Sequence, residues 1–111
     1  MKIYESATKL ASDIKDSKEY KAFQKSMKEL KLDKDSENLL KEYKLGQMEI
    51  QSYKIKNRKI DKKTMRKIQT LEDRIKNNEK VYNYLIDEQN FMNMMNTINI
   101  ILGETVQEDY K

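Results

Sequence analysis

Across 111 residues the chain has no proline and only two glycines, Gly46 and Gly103. Tight hairpins and sheet corners depend on those two residues more than on any others, because they supply fixed or left-handed backbone geometry. A chain so poor in both is expected to fold into long helices. The core those helices share must be thin, because 38% of residues are charged and 37% hydrophobic, against roughly a quarter and nearly half in average domains. The expected fold is all-α, an antiparallel bundle of about five helices with a long C-terminal helix, forming a single domain over 1–103. Residues 104–111 are expected to be a flexible acidic tail.

Several kinds of chemistry are closed to such a chain. It has no cysteine and no histidine, so it holds no disulfide, no thiolate or imidazole metal ligand, no cysteine nucleophile and no histidine base. No catalytic residue, metal site or cofactor is expected, and the chain reads as a non-enzyme. Asp33, Asp35 and Glu37 alternate like the opening of a calcium loop, but Asn38 and Lys44 stand where that loop needs glycine and a bidentate glutamate. Asp87 and Glu88 are adjacent on a helix and point about 100° apart, so they cannot flank one bond as acid and base. No apolar run approaches the roughly 20 residues that span a bilayer, and the first residues lack the apolar core of a secretory signal. A cytoplasmic protein without a membrane partner is expected.

Helical spacing divides the chain. Ile3, Ala7, Leu10, Ala11 and Ile14 recur at three and four, the spacing of one helix face, and predict a helix over 2–15. Ala7 and Ala11 suit a seam where two helices approach closely. Asp16 with Glu19 resembles a capping box ahead of a second helix striped by Tyr20, Phe23, Met27 and Leu30. The polar run Asp33 to Ser36 favours a turn, and a third helix from about 36 carries Leu39, Leu40, Tyr43, Ile50 and Tyr53. Gly46 interrupts that stripe, which predicts a bend or a close approach of another backbone, since glycine inside a helix costs about 0.5–1 kcal/mol relative to alanine. Lys56 to Lys59 is the expected linker, with Asn57 suited to the left-handed geometry that ends a helix. Asp61 caps a fourth helix lined by Met65, Ile68, Leu71 and Ile75. Asn77 and Asn78 then precede a fifth helix over 79–102.

In that last helix, positions 81, 84, 85, 88, 91, 92, 95, 98 and 102 share one broad stripe, and all but Glu88 are apolar. A helix apolar around so much of its circumference needs neighbours on more than one side. Four short helices supply too few of them, so dimerisation is expected, with Tyr84, Glu88, Phe91, Met92, Met95 and Ile98 as the association surface. Glu88 either pairs with a lysine or arginine across the dimer or sits at the edge of the stripe with its carboxylate in water. Charge is also uneven, with net +1 over residues 1–53, +7 over 54–80 and −4 over 81–111. Lys62, Lys63, Arg66, Lys67 and Arg74 give the fourth helix a basic face, preceded by Lys54, Lys56, Arg58 and Lys59. Such a face suits RNA phosphates. The reading as an ordinary solvated surface is favoured over it, because lysine-rich helices are common and no aromatic platform interleaves with these positions.

Four groups of residues, in order and at these separations, resemble the YlbF/YmcA family of small helical bacterial regulators, including its YheA-type proteins. They are Ile3-Tyr4 with Ala7 and Leu10-Ala11; the Ser17 to Lys21 helix start; Leu39 to Tyr43 followed by Gln47; and Asn78 leading to Tyr84-Leu85, Glu88 and Phe91. The resemblance covers roughly 3–102. It implies a helical bundle that forms homo-oligomers or hetero-oligomers with a paralogue and acts through protein contacts. In the family's better-known members such complexes assist an endoribonuclease that processes messenger RNA, influencing competence, biofilm formation and sporulation. Some of those members hold iron–sulfur clusters through cysteines, which this chain lacks. The function expected is therefore a regulatory adaptor with a ribonuclease-type protein partner, and the alternative is a direct RNA-binding module using residues 54–76.

Overall fold

Short polar side chains start the helices. Ser17 accepts the Tyr20 N–H, Asp33 accepts that of Ser36, and Asp61 accepts that of Thr64, each from a residue in extended backbone just before a helix. Asn78 does the same for Val81 at 3.0 Å. Every such cap satisfies a donor that the first helical turn leaves free. The computed structural model describes residues 1–108, and these form five helices: α1 (Lys2–Asp16), α2 (Lys18–Lys31), α3 (Lys34–Ile55), α4 (Lys62–Lys76) and α5 (Glu79–Glu108). The all-α, five-helix expectation holds. Asn57 has φ 54° and ends α3 as expected.

Three boundaries differ from the sequence reading. Ser17, not Asp16, caps α2, because only Ser17 accepts the Tyr20 N–H. The Asp33 cap lets α3 begin two residues before Ser36. The last helix passes 102 and runs to Glu108, so residues 104–108 of the expected tail are helical, while 109–111 lie outside the described residues. Helix α3 also runs unbroken through Gly46, where side chains rather than a backbone come close: a Cβ there would meet Leu71 Cδ1 at 3.5 Å and Ile68 Cγ1 at 3.8 Å.

The core gathers where four helices meet. Leu30 of α2, Leu39 of α3, Leu71 and Ile75 of α4 and Val81 of α5 form one buried cluster, flanked by Leu40, Tyr43, Tyr84 and Leu85. On α4 the buried face is Thr64, Ile68, Leu71 and Ile75; Met65, expected inside, flanks that stripe and is 41% exposed. Beyond this cluster the molecule spreads out. Its principal extents are 54 × 39 × 17 Å and its radius of gyration is 18.5 Å, against about 13 Å for a compact chain of 100 residues. The thinnest dimension is less than two helix diameters of about 10–12 Å. Most helices therefore cover only one side, and α1 buries none of its residues.

Candidate functional site

The long α5 is the axis of the candidate site, and α2 lies antiparallel along its first half. Phe23 stacks on Phe91 with ring centroids 5.4 Å apart and tilts against Tyr84 at 5.4 Å, while Tyr20 meets Phe91 at 5.8 Å. Offset and tilted pairs at these separations add to the energy of simple burial. The Ser26 hydroxyl donates to the Asp87 carboxylate in the same seam. Tyr84 and Phe91, expected on an association surface, are thus largely occupied within the chain.

Glu88 has its partners in the chain as well. The Lys44 ammonium of α3 pairs with one carboxylate oxygen, and the Tyr84 hydroxyl donates to the other at 3.1 Å. The pairing expected across a dimer is made by α3 instead, and the Glu88 side chain remains 25% exposed at the stripe's edge. Burial, followed by the neighbouring Glu88 charge, pushes the Tyr84 phenol up to about 12. Both effects oppose a second negative charge in this corner. Lys44 was not singled out by the sequence, since nothing in its spacing separates it from other exposed lysines.

Of the remaining expected residues, Met92 is 47% exposed, and Met95 and Ile98 are half-buried. Beyond them α5 is almost bare, with Ile100, Ile101, Leu102 and Val106 each 55–58% exposed. Where α2 begins, Lys18, Ala22, Asn93, Met94, Thr97 and Ile98 line an open groove. The end of α5 therefore bears exposed apolar side chains that no other element among the described residues covers, and exposed apolar patches mark association sites.

The basic face divides in two. Arg74 binds Glu42 of α3 at 3.1 Å, and Lys67 reaches Glu49 at 4.0 Å. Lys62, Lys63 and Arg66 are exposed and make no ion pair among the described residues. They sit beside Lys54, Lys56, Arg58 and Lys59 at the tip of the α3–α4 hairpin. The only acidic residue in that tip, Asp61, is held below the usual carboxylate range by the Thr64 backbone N–H, with further hydrogen bonds from the Thr64 and Tyr53 side chains. Among the described residues, no group of three acidic, cysteine or histidine side chains is placed to hold a metal ion. No helix there is long and apolar enough to cross a membrane.

A small polar knot fixes the root of α3 and α5. Ser36, 1% exposed, donates its hydroxyl to Asp33 at 3.0 Å and accepts from the Asn78 amide at 2.9 Å. The Lys80 ammonium lies 3.4 Å from Asp33. The Ser36 hydrogen bonds, and more weakly Lys80, hold the Asp33 carboxyl below its usual value. Asn78 already stood out in the sequence as a break before the last helix, but its bond to a serine 42 positions earlier left no local signal.

Three comparisons bear on what this arrangement is. The chain is 25% identical to a UPF0342 protein of Lacticaseibacillus casei (strain BL23), over 98% of this chain and 96% of that one. It is 28% identical to a UPF0342 protein of Desulfitobacterium hafniense (strain Y51), over 96% and 86%. Its fold is similar to that in the crystal structure of Bacillus subtilis RicA in complex with RicF, with a TM-score of 0.65, 17% identity, and coverage of 99% of this chain and 97% of that one. The family model described as control of competence regulator ComK, YlbF/YmcA, matches residues 3–107, and the chain belongs to that family.

Proposed function

We propose that the chain is a regulatory adaptor that carries out no chemistry and works by docking to other proteins, as a homo-oligomer or paired with a paralogue. One observation carries the reading: apolar side chains at the free end of α5, more than half exposed from Ile100 to Leu102 and at Val106, which no other element among the described residues covers. Membership in a family of competence regulators supports it, as does a neighbouring fold whose crystal structure is a complex of two proteins, RicA with RicF. By analogy with the better-known members, the target is a cytoplasmic ribonuclease-type protein. Tyr84, Phe91 and Glu88 then brace α5 from within, while Met92, Met95, Ile98 and the residues beyond them meet the partner.

The hairpin tip keeps a second reading alive, since residues 54–67 hold eight basic side chains against one acidic one. Direct RNA binding there would neutralise phosphates and lose affinity steeply between low and moderate salt. The test is affinity capture from the native cell, with and without nuclease, followed by mass spectrometry. The adaptor reading expects a protein partner that survives nuclease and is lost when Met92 and Leu102 are changed to Asp. Recovery of the chain's own subunits alone would contradict it, and a partner released by nuclease would favour the RNA reading.

A further inference from the structure

Past Gly46 the third helix has two apolar faces and a neighbour for only one of them. Gly46 faces Leu71 and Ile68 of α4, and Ile50 and Tyr53, on the same side by spacing, are half-buried. No residue of α3 beyond Gly46 is fully buried. At about 100° per residue, Leu45, Met48 and Ile55 fall on the roughly opposite side of the helix, where they are 64%, 66% and 80% exposed. The small Ser52 lies between the last two and leaves a notch: Met48, Gln51, Ser52, Ile55 and Lys56 line an open pocket there. From Leu45 to Ile55 the stripe is about 15 Å long at 1.5 Å per residue. Stripes of this kind receive the apolar face of another helix.

The stripe leads into the most basic stretch of the chain. Residues 54–67 hold eight basic side chains and one acidic one, and of the eight only Lys67 makes an ion pair among the described residues. The nearby acidic groups are already engaged. Glu42 pairs with Arg74 and Glu49 with Lys67, while Asp61 accepts from the Thr64 N–H and the Tyr53 hydroxyl. The face therefore ends in uncompensated positive charge beside exposed aliphatic surface. Complementarity selects an occupant that is apolar along one side and acidic at one end. RNA supplies the charge without the apolar side chains, and it stacks on aromatic rings. Tyr53, the only aromatic residue between Met48 and Lys67, is half-buried and bonded to Asp61 at 3.1 Å.

We propose that the outer face of α3, formed by Leu45, Met48, Ser52 and Ile55 with Lys56 and Arg58 at its end, docks an acidic amphipathic helix of a partner protein. Apolar residues of that helix, at spacings of three and four, fill the notch at Ser52, and its carboxylates meet the basic tip. The proposal rests on the adaptor reading and names the chemistry of the segment that the adaptor holds. It gives the chain a docking face on a different element from the free end of α5. Because the basic side chains are exposed, their attraction to the partner weakens as salt rises.

The test is photo-cross-linking of the full chain in its native cell, with benzoylphenylalanine in place of Gln51, which is exposed beside the notch. Adducts are purified under denaturing conditions, and the linked segment is read by mass spectrometry. The expected adduct is with a different protein, through a segment of net negative charge whose apolar residues recur at helical spacing. Its yield is expected to fall about tenfold in Met48→Asp and in the double variant Lys56→Glu, Arg58→Glu. Circular dichroism of both variants is expected to be unchanged, since all three side chains are exposed. No adduct, an adduct with a second copy, with RNA or with a neutral or basic segment, or a yield indifferent to both variants would overturn the proposal. If the nuclease-resistant partner is still captured through α5 while position 51 gives no such adduct, this face is wrong and the adaptor reading stands. Loss of the captured partner itself removes the adaptor reading.

Discussion

At Gly46 the structure supplies a reason to expect a gain on substitution. A methyl group there would meet Leu71 and Ile68 at ordinary contact distances of 3.5 and 3.8 Å, and alanine removes the entropic cost of glycine inside a helix. Gly46→Ala is expected to stabilise the chain by about 0.5–1 kcal/mol in denaturant unfolding, whereas a branched side chain would collide with α4 and destabilise it. Ser36 behaves in the opposite way. Its removal leaves Asp33 and Asn78 short of partners in a buried corner, so Ser36→Ala is expected to cost about 1–3 kcal/mol. Acid acts on the same corner through Asp33 and on the α4 cap through Asp61. Both carboxyls titrate below their ordinary value of 3.8, so they stabilise the fold fully above that value, and this contribution is lost as pH falls through their lower folded values. Thermal unfolding from pH 7 down to 2 should show that loss, and Asp61→Ala should reduce it while lowering stability at pH 7. Glu88→Gln should cost no more than about 1 kcal/mol, as for a partly exposed pair, and leave association unchanged, because Lys44 and Tyr84 of the same chain are its partners.

The helices show which features a sequence reveals. Tyr20, Phe23 and Leu30 on α2, Leu39 and Tyr43 on α3, and Ile68, Leu71 and Ile75 on α4 all occupy the inward faces that their spacing foretold. Helix starts were readable to within two residues, because Ser, Asp and Asn caps act on their immediate neighbours. What local pattern could not supply was the choice between equivalent faces. Thr64 is buried and Met65 is exposed because α4 rolls to bring Ile68 against Gly46, a decision made by a helix distant in sequence. The candidate site was legible as an apolar surplus on α5 and misassigned in detail: its first half is consumed by α2 and α3, and the open surface begins near Met92 and continues past the expected end of the helix. Removing residues 1–16 takes away no buried side chain, so denaturant unfolding should show the free energy of a single chain changed by no more than about 1 kcal/mol.

For the whole molecule, shape and composition lead to the same conclusion. A core of six buried apolar side chains among the described residues, in a body 17 Å thick, leaves much of its apolar surface facing water. Part of the excess lies on the two terminal helices and part on α3, where Leu45, Met48 and Ile55 are 64–80% exposed, and another protein surface can cover it without disturbing the core. The most direct test is the mass of the purified chain by light scattering across a wide concentration range. A value near twice 13.4 kDa that falls towards 13.4 kDa on dilution or on Leu102→Asp is the result the account predicts. A mass of 13.4 kDa held at the highest concentrations, with Leu102→Asp causing no change, would contradict it.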